Sequence, residues 1–133
     1  MEANKNETVV SFFEDFHQPK KEYLLIDILN QINDGEYKIE IESIRYAIHK
    51  EKFSEAKKIK HKLPSFTPSA TFNKKRNHSK IKCYNSIIHL DFDQIPEEKI
   101  TEFKDVISNV PYTYACFISP SGNGLKVIVE VDS

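Results

Sequence analysis

Apolar positions recur along this chain with two distinct periods, and the change from one to the other marks its organisation. Thr8 to Phe13 (TVVSFF) is β-branched and aromatic and reads as a first strand. After Pro19, residues Lys21 to Asn33 place Leu24, Ile28 and Ile32 at helical spacing, and Gly35 punctuates the end. Tyr37 to Ile48 repeats the period with Ile41, Ile44 and Ile48, and Phe53 to Ile59 reads as a third, lysine-rich helix. Between Leu63 and Asn85 the periodicity fades into a long, turn-rich connection containing Pro64, Pro68, Asn73 and Asn77.

Regular patterning returns at Ser86 to Phe92 (SIIHLDF), a strand by its alternation. Ile95-Pro96 opens a helix with Glu97 and Glu98 in its first turn, where the dipole favours acids. Ile100, Phe103, Ile107 and Val110 give that helix one apolar face, and Pro111 stops it. Tyr112 to Ser119 and Leu125 to Val131 are two further strands, joined by a tight loop that holds Gly122 and Gly124, two of the three glycines in the chain. The C-terminal part therefore reads β–α–β–loop–β. The expected fold class is α+β, and 133 residues suit one domain.

Composition narrows the function. The chain has 39% hydrophobic and 29% charged residues and no apolar run of membrane-spanning length, which argues against a membrane protein. Met1 is not followed by a secretory signal pattern. Two cysteines, Cys83 and Cys116, lack metal-ligand spacing and cannot build a disulfide framework, so a reducing, cytoplasmic location is expected. The net charge of -1 conceals an asymmetry. Residues 57–82 carry nine Lys and Arg and no acid, leaving ten bases against twenty acids elsewhere. A basic, loop-rich belt over residues 57–85 on an acidic body is the pattern of a polyphosphate-binding surface.

The chemistry-bearing residues fall on the C-terminal strands. Alternation puts Ile88, Leu90 and Phe92 on one strand face, to pack on the helix, and His89, Asp91 and Asp93 on the other. Two same-face carboxylates lie on the order of 7 Å apart along a strand. They are placed to reach one or two hard divalent cations, for which Mg²⁺ or Mn²⁺ is expected. The loop Ser119-Pro-Ser-Gly-Asn-Gly-Leu-Lys126 offers hydroxyls from Ser119 and Ser121, a turn at Gly122 and Gly124 whose amides could cradle an anion, and a cation at Lys126 for phosphates. Each part alone also fits a helix cap or a plain hairpin. Together they supply what metal-assisted phosphoryl or nucleotidyl transfer needs.

Ile87 to Asp93, hydrophobics followed by Asp-x-Asp, resembles the first motif of the archaeo-eukaryotic primase (primase-polymerase) superfamily, and Ser119 to Lys126 resembles its second. The nearer likeness is to the VirE N-terminal-type primase-like domain of bacterial mobile elements and phages. There an upstream Leu-Pro with Ser/Thr and Phe, here Leu63 to Phe72, precedes a basic residue, here Arg76. The resemblance is specific from Leu63 to Val131. It implies an RRM-like palm sheet with helices on one face and a two-metal site at Asp91 and Asp93. It also implies nucleotide phosphates on Ser119, Ser121, Gly122, Gly124 and Lys126. The expected partners are nucleoside triphosphates, single-stranded or template-primer DNA, and a helicase-like region downstream. Lys62, Lys74, Lys75 and Arg76 are the expected DNA contacts.

Lys126 stands where many superfamily members have His. A third acidic motif belongs on a later strand, so residues 1–133 are expected to form the N-terminal portion of a longer catalytic domain. A non-catalytic DNA-binding module is the alternative. A metal-dependent nuclease or relaxase ranks behind both, because His17, His49, His61, His78 and His89 are scattered and Tyr84 is weakly placed.

Overall fold

Pairing partners distant in sequence decide the N-terminal half. The computed structural model describes residues 8–14, 21–72 and 81–131. The β-branched run forms β1 (Val9–Phe13), flanked antiparallel by β2 (Lys21–Leu24) and β3 (Ser65–Thr67). The helix expected from Lys21 starts four residues later, as α1 (Leu25–Asn33). Residues 21–24 lie in register with β1 instead, Val9 opposite Leu24 and Phe12 opposite Lys21. Tyr23 meets Phe12 edge to face at 5.0 Å, a contact that a helical start would forgo.

The next two helices form as the period predicts: α2 (Lys38–His49) and α3 (Phe53–Lys62). They bury Ile44, Ala47 and Ala56 between themselves, with Ile48, Ile59 and Leu63 packed around them. The connection expected to be turn-rich and of little periodicity holds β3 and two more short strands, β4 (Ala70–Phe72) and β5 (Ile81–Tyr84), paired with each other. Asn85 fastens this region to the first sheet, its Nδ2 donating to the carbonyls of Val9 and Pro68, each at 2.9 Å.

The C-terminal half follows the expected β–α–β–loop–β: β6 (Ile87–Phe92), α4 (Glu97–Ser108), β7 (Thr113–Ile118) and β8 (Leu125–Glu130). The antiparallel order is β6-β8-β7, so α4 carries the chain across the central strand β8.

This sheet is covered on both faces, not on one. Toward α4, Leu125 packs with Ile95, Ile100, Ile107, Cys116 and Ile118. On the opposite face Ile87 and Ile128 join Val10 and Phe12 of β1 and Leu25 and Ile28 of α1. The unbroken Val127-Ile128-Val129 run in β8 is the sequence trace of that double burial, since strict alternation would put a polar residue at 128. A second expectation also changes. Ile88, Leu90 and Phe92 do not pack tightly under the helix but remain 44%, 41% and 43% exposed, because α4 lies over β7 and leaves the β6 edge uncovered. No helix among the described residues is long and apolar enough to cross a membrane.

Ile128 is fully buried where the two halves meet. Ile128→Ala should cost about 3 kcal/mol in urea unfolding, whereas Val106→Ala, at a position 63% exposed, should fall within about 0.5 kcal/mol of wild type. A cost below about 1 kcal/mol at Ile128 would refute the shared core.

Candidate functional site

Cross-strand register brings together the residues on which the sequence reading turned. Asp91 of β6 lies directly opposite Lys126 of β8, and His89 opposite Ile128, so all four share the face away from α4. Lys126 Nζ donates to Asp91 Oδ1 at 3.0 Å, and His89 Nε2 stands 3.1 Å from the same oxygen. Burial pushes the Asp91 carboxyl up, but the hydrogen bond and charge of Lys126, followed by those of His89, outweigh it. The net position is below the usual carboxylate range.

Asp93 lies just past the end of β6. A Cβ placed on Gly124 would come within 3.3 Å of both Asp93 Oδ1 and Ser119 Oγ, so the carboxylate and the hydroxyl bracket one glycine. The same Cβ would sit 2.7 Å from the Phe92 carbonyl oxygen. Glycine is needed here for the close approach of β6 to the loop, not for a left-handed backbone.

Gly122 does adopt the left-handed region, at φ 84°. Its amide, however, donates to the Ser119 carbonyl at 2.9 Å, and Ser119 N donates to Gly124 O at 2.9 Å. The loop thus closes on itself, and the anion cradle expected from Gly122 is occupied internally. Ser119 is buried, whereas Ser121 faces an adjoining cleft.

One contact had no signal in the sequence. Arg45 of α2 reaches across to this loop, its Nη2 donating to Ser119 O at 3.0 Å and its Nε to Pro120 O at 3.2 Å. The guanidinium also covers Gly122, where a Cβ would lie 3.2 Å from Arg45 Nε. A lone arginine on an amphipathic helix reads as a solvated side chain, and only the tertiary fold reveals its partner.

Beside the loop, a cleft of about 660 Å³ separates α2 and α3 from the sheet. Its floor includes His89, Phe117, Ser121, Lys126 and Ile128; Leu63 to Phe66 and Pro68 form one end. One face of α3 (Phe53, Ala56, Lys57, Lys60 and His61) contributes a further part of the lining. Lys62 lies on α3 but does not line the cleft, and Lys74, Lys75 and Arg76 fall outside the described residues. Among the described residues no three His, Cys, Asp or Glu side chains gather as a metal site.

A family model described as BT4734-like, N-terminal domain, matches residues 58–133, more than half of the chain. The chain belongs to that family. No curated protein and no solved structure matches it. The BT4734-like span begins inside α3 and takes in the cleft's end wall, the Asp91–Lys126 pair and the glycine loop; β1, α1 and α2, including Arg45, precede it.

Two outcomes check this geometry. Gly124→Ala should destabilise the fold by more than Gly35→Ala: a Cβ at 124 would press on the Phe92 carbonyl at 2.7 Å, whereas at Gly35, whose cost is its left-handed φ of 81°, it would meet only Lys38 Cβ at 3.8 Å; urea midpoints decide it. NMR titration should place the Asp91 midpoint below an ordinary aspartate, and Lys126→Met should raise it. Because the folded value is depressed, the pair stabilises the fold fully above the unfolded carboxyl's value and loses that contribution as pH falls through the folded one. A midpoint unmoved by Lys126→Met would remove the pairing.

Proposed function

We propose that this domain is the nucleotide-binding portion of a metal-dependent nucleotidyl-transfer palm of the primase–polymerase kind, akin to the VirE N-terminal-type domains, acting in the DNA replication of mobile elements. The observation that carries the reading is the placement of Asp91 and Lys126 opposite each other on one sheet face, beside the Ser119–Gly124 loop and the cleft. The strand order β6-β8-β7 with α4 as crossover is compatible with an RRM-like palm whose further strands would add at β6.

In this reading Lys126 exchanges its carboxylate partner for a nucleotide phosphate, a charge-assisted contact of equal sign. Ser121 offers a hydroxyl from the cleft side, and Ser119 does so beside Asp93. Asp91 and Asp93 supply hard oxygen donors of the type that Mg²⁺ and Mn²⁺ prefer. The donor chemistry fits such an ion, and two carboxylates without a third leave coordination positions for water and substrate phosphates. When bound, the cation would neutralise charge developing on the phosphates. Template or primer strands would follow the basic segment that begins at α3, and a helicase-like region on the same polypeptide would deliver them.

A second reading, a non-catalytic single-strand-binding module, is favoured by Tyr37, Phe53, Phe66 and Phe117 along the cleft, since aromatic faces stack on bases of any sequence. Mn²⁺-induced NMR line broadening separates the two. Broadening should centre on Asp91 and Asp93, strengthen with added nucleoside triphosphate, and weaken at least about tenfold in Asp91→Asn/Asp93→Asn, as expected when a ligating carboxylate is lost. Metal-independent binding of single strands with no Mn²⁺ effect would select the second reading.

A further inference from the structure

The cleft is lined by three lysines, Lys57, Lys60 and Lys126, and by His61 and His89, yet by no aspartate or glutamate, in a chain with twenty acids. Lys126 lines it from strand β8 of the sheet, and Lys57 and Lys60 line it from α3, in a separate layer of the fold. Neither α3 lysine has an ion pair among the described residues. The one acid on α3, Glu55, stands two and five positions away, outside the three- and four-residue spacing that would bring it beside them. Beyond these cations the lining is largely apolar and aromatic. Of the three lysines only Lys126 has a carboxylate partner among the described residues, Asp91. Lys57 and Lys60 therefore leave the cleft with a positive field that favours an anion, and an apolar interior wants a ligand with a flat hydrophobic part.

We infer that the cleft holds a nucleoside triphosphate with its phosphates gripped from two sides, by Lys126 of the sheet and by Lys57 and Lys60 of α3, and its base against the aromatic wall. This rests on the nucleotide reading of Asp91 and Lys126 and adds to it a second phosphate-binding arm carried by the helical layer. The volume of about 660 Å³ accommodates one nucleotide. Arg45 makes the arrangement possible. Its bonds to Ser119 and Pro120 tie α2, and through the shared core α3, to the loop beside Lys126, which fixes the distance between the two arms.

Titration calorimetry of the full chain with ATP, tripolyphosphate and adenosine tests this. Lys57→Gln/Lys60→Gln should weaken ATP and tripolyphosphate alike by about tenfold or more, the scale of one charged hydrogen bond, and leave adenosine unchanged. Lys58→Gln, a loss of the same charge at a position outside the cleft lining, should leave all three unchanged. If Lys126→Ala weakens ATP and the α3 double variant does not, the two-sided grip is overturned while the nucleotide reading of Asp91 and Lys126 stands. If wild type binds a single-stranded oligonucleotide but none of the three small ligands, both are overturned. Circular dichroism of each variant excludes unfolding, since Lys57 and Lys60 are exposed helix positions.

Discussion

A lysine set between buried residues of a strand that is packed on both faces must find a counter-charge, and much of the architecture around it follows from that need. Leu125, Val127 and Ile128, three of the six residues of β8, are at most 1% exposed. Lys126 interrupts this run with its side chain 29% exposed. An ammonium so placed is costly without a partner. Asp91, directly across the ladder, supplies it. The pair therefore fixes the register of β6 on β8 electrostatically, where the apolar positions fix it sterically. Partial exposure limits its energetic worth to about 1 kcal/mol or less, so its weight lies in placing charge at the cleft and only secondarily in stability.

Much of the C-terminal half was legible in the sequence, because long strands and a capped amphipathic helix announce themselves. Alternation in residues 87–92 correctly set His89 and Asp91 on one face, and the same logic set Lys126 with them. The burial of that face was harder to read. Ile128 sits among polar neighbours by parity, and whether it meets solvent or another layer depends on β1 and α1, far away in sequence.

Lys21 to Leu24 and residues 65–84 show the complementary failure. A four-residue segment preceding a helix shares that helix's period, so Leu24 looks like its first apolar position. Long-range pairing with β1 overrides the local preference. Strands of three residues, such as β3 and β4, are too short to display any alternation. At the candidate site the split is similar. Asp91 and Lys126 stood out by motif, whereas Arg45 acts on backbone carbonyls seventy-odd residues downstream, which no local pattern encodes.

That choice of acceptor has its own consequence. Arg45 holds the helical layer through two carbonyl groups, which bear dipoles but no net charge. Dissolved ions shield interactions between full charges over a Debye length of about 8 Å in physiological buffer, and they affect short charge–dipole bonds far less. Raising the ionic strength would therefore loosen the hold of the lysines on an anion and leave the spacing between the layers intact. In the proposed reading, the force that shapes the cleft is thus separate from the force that would fill it.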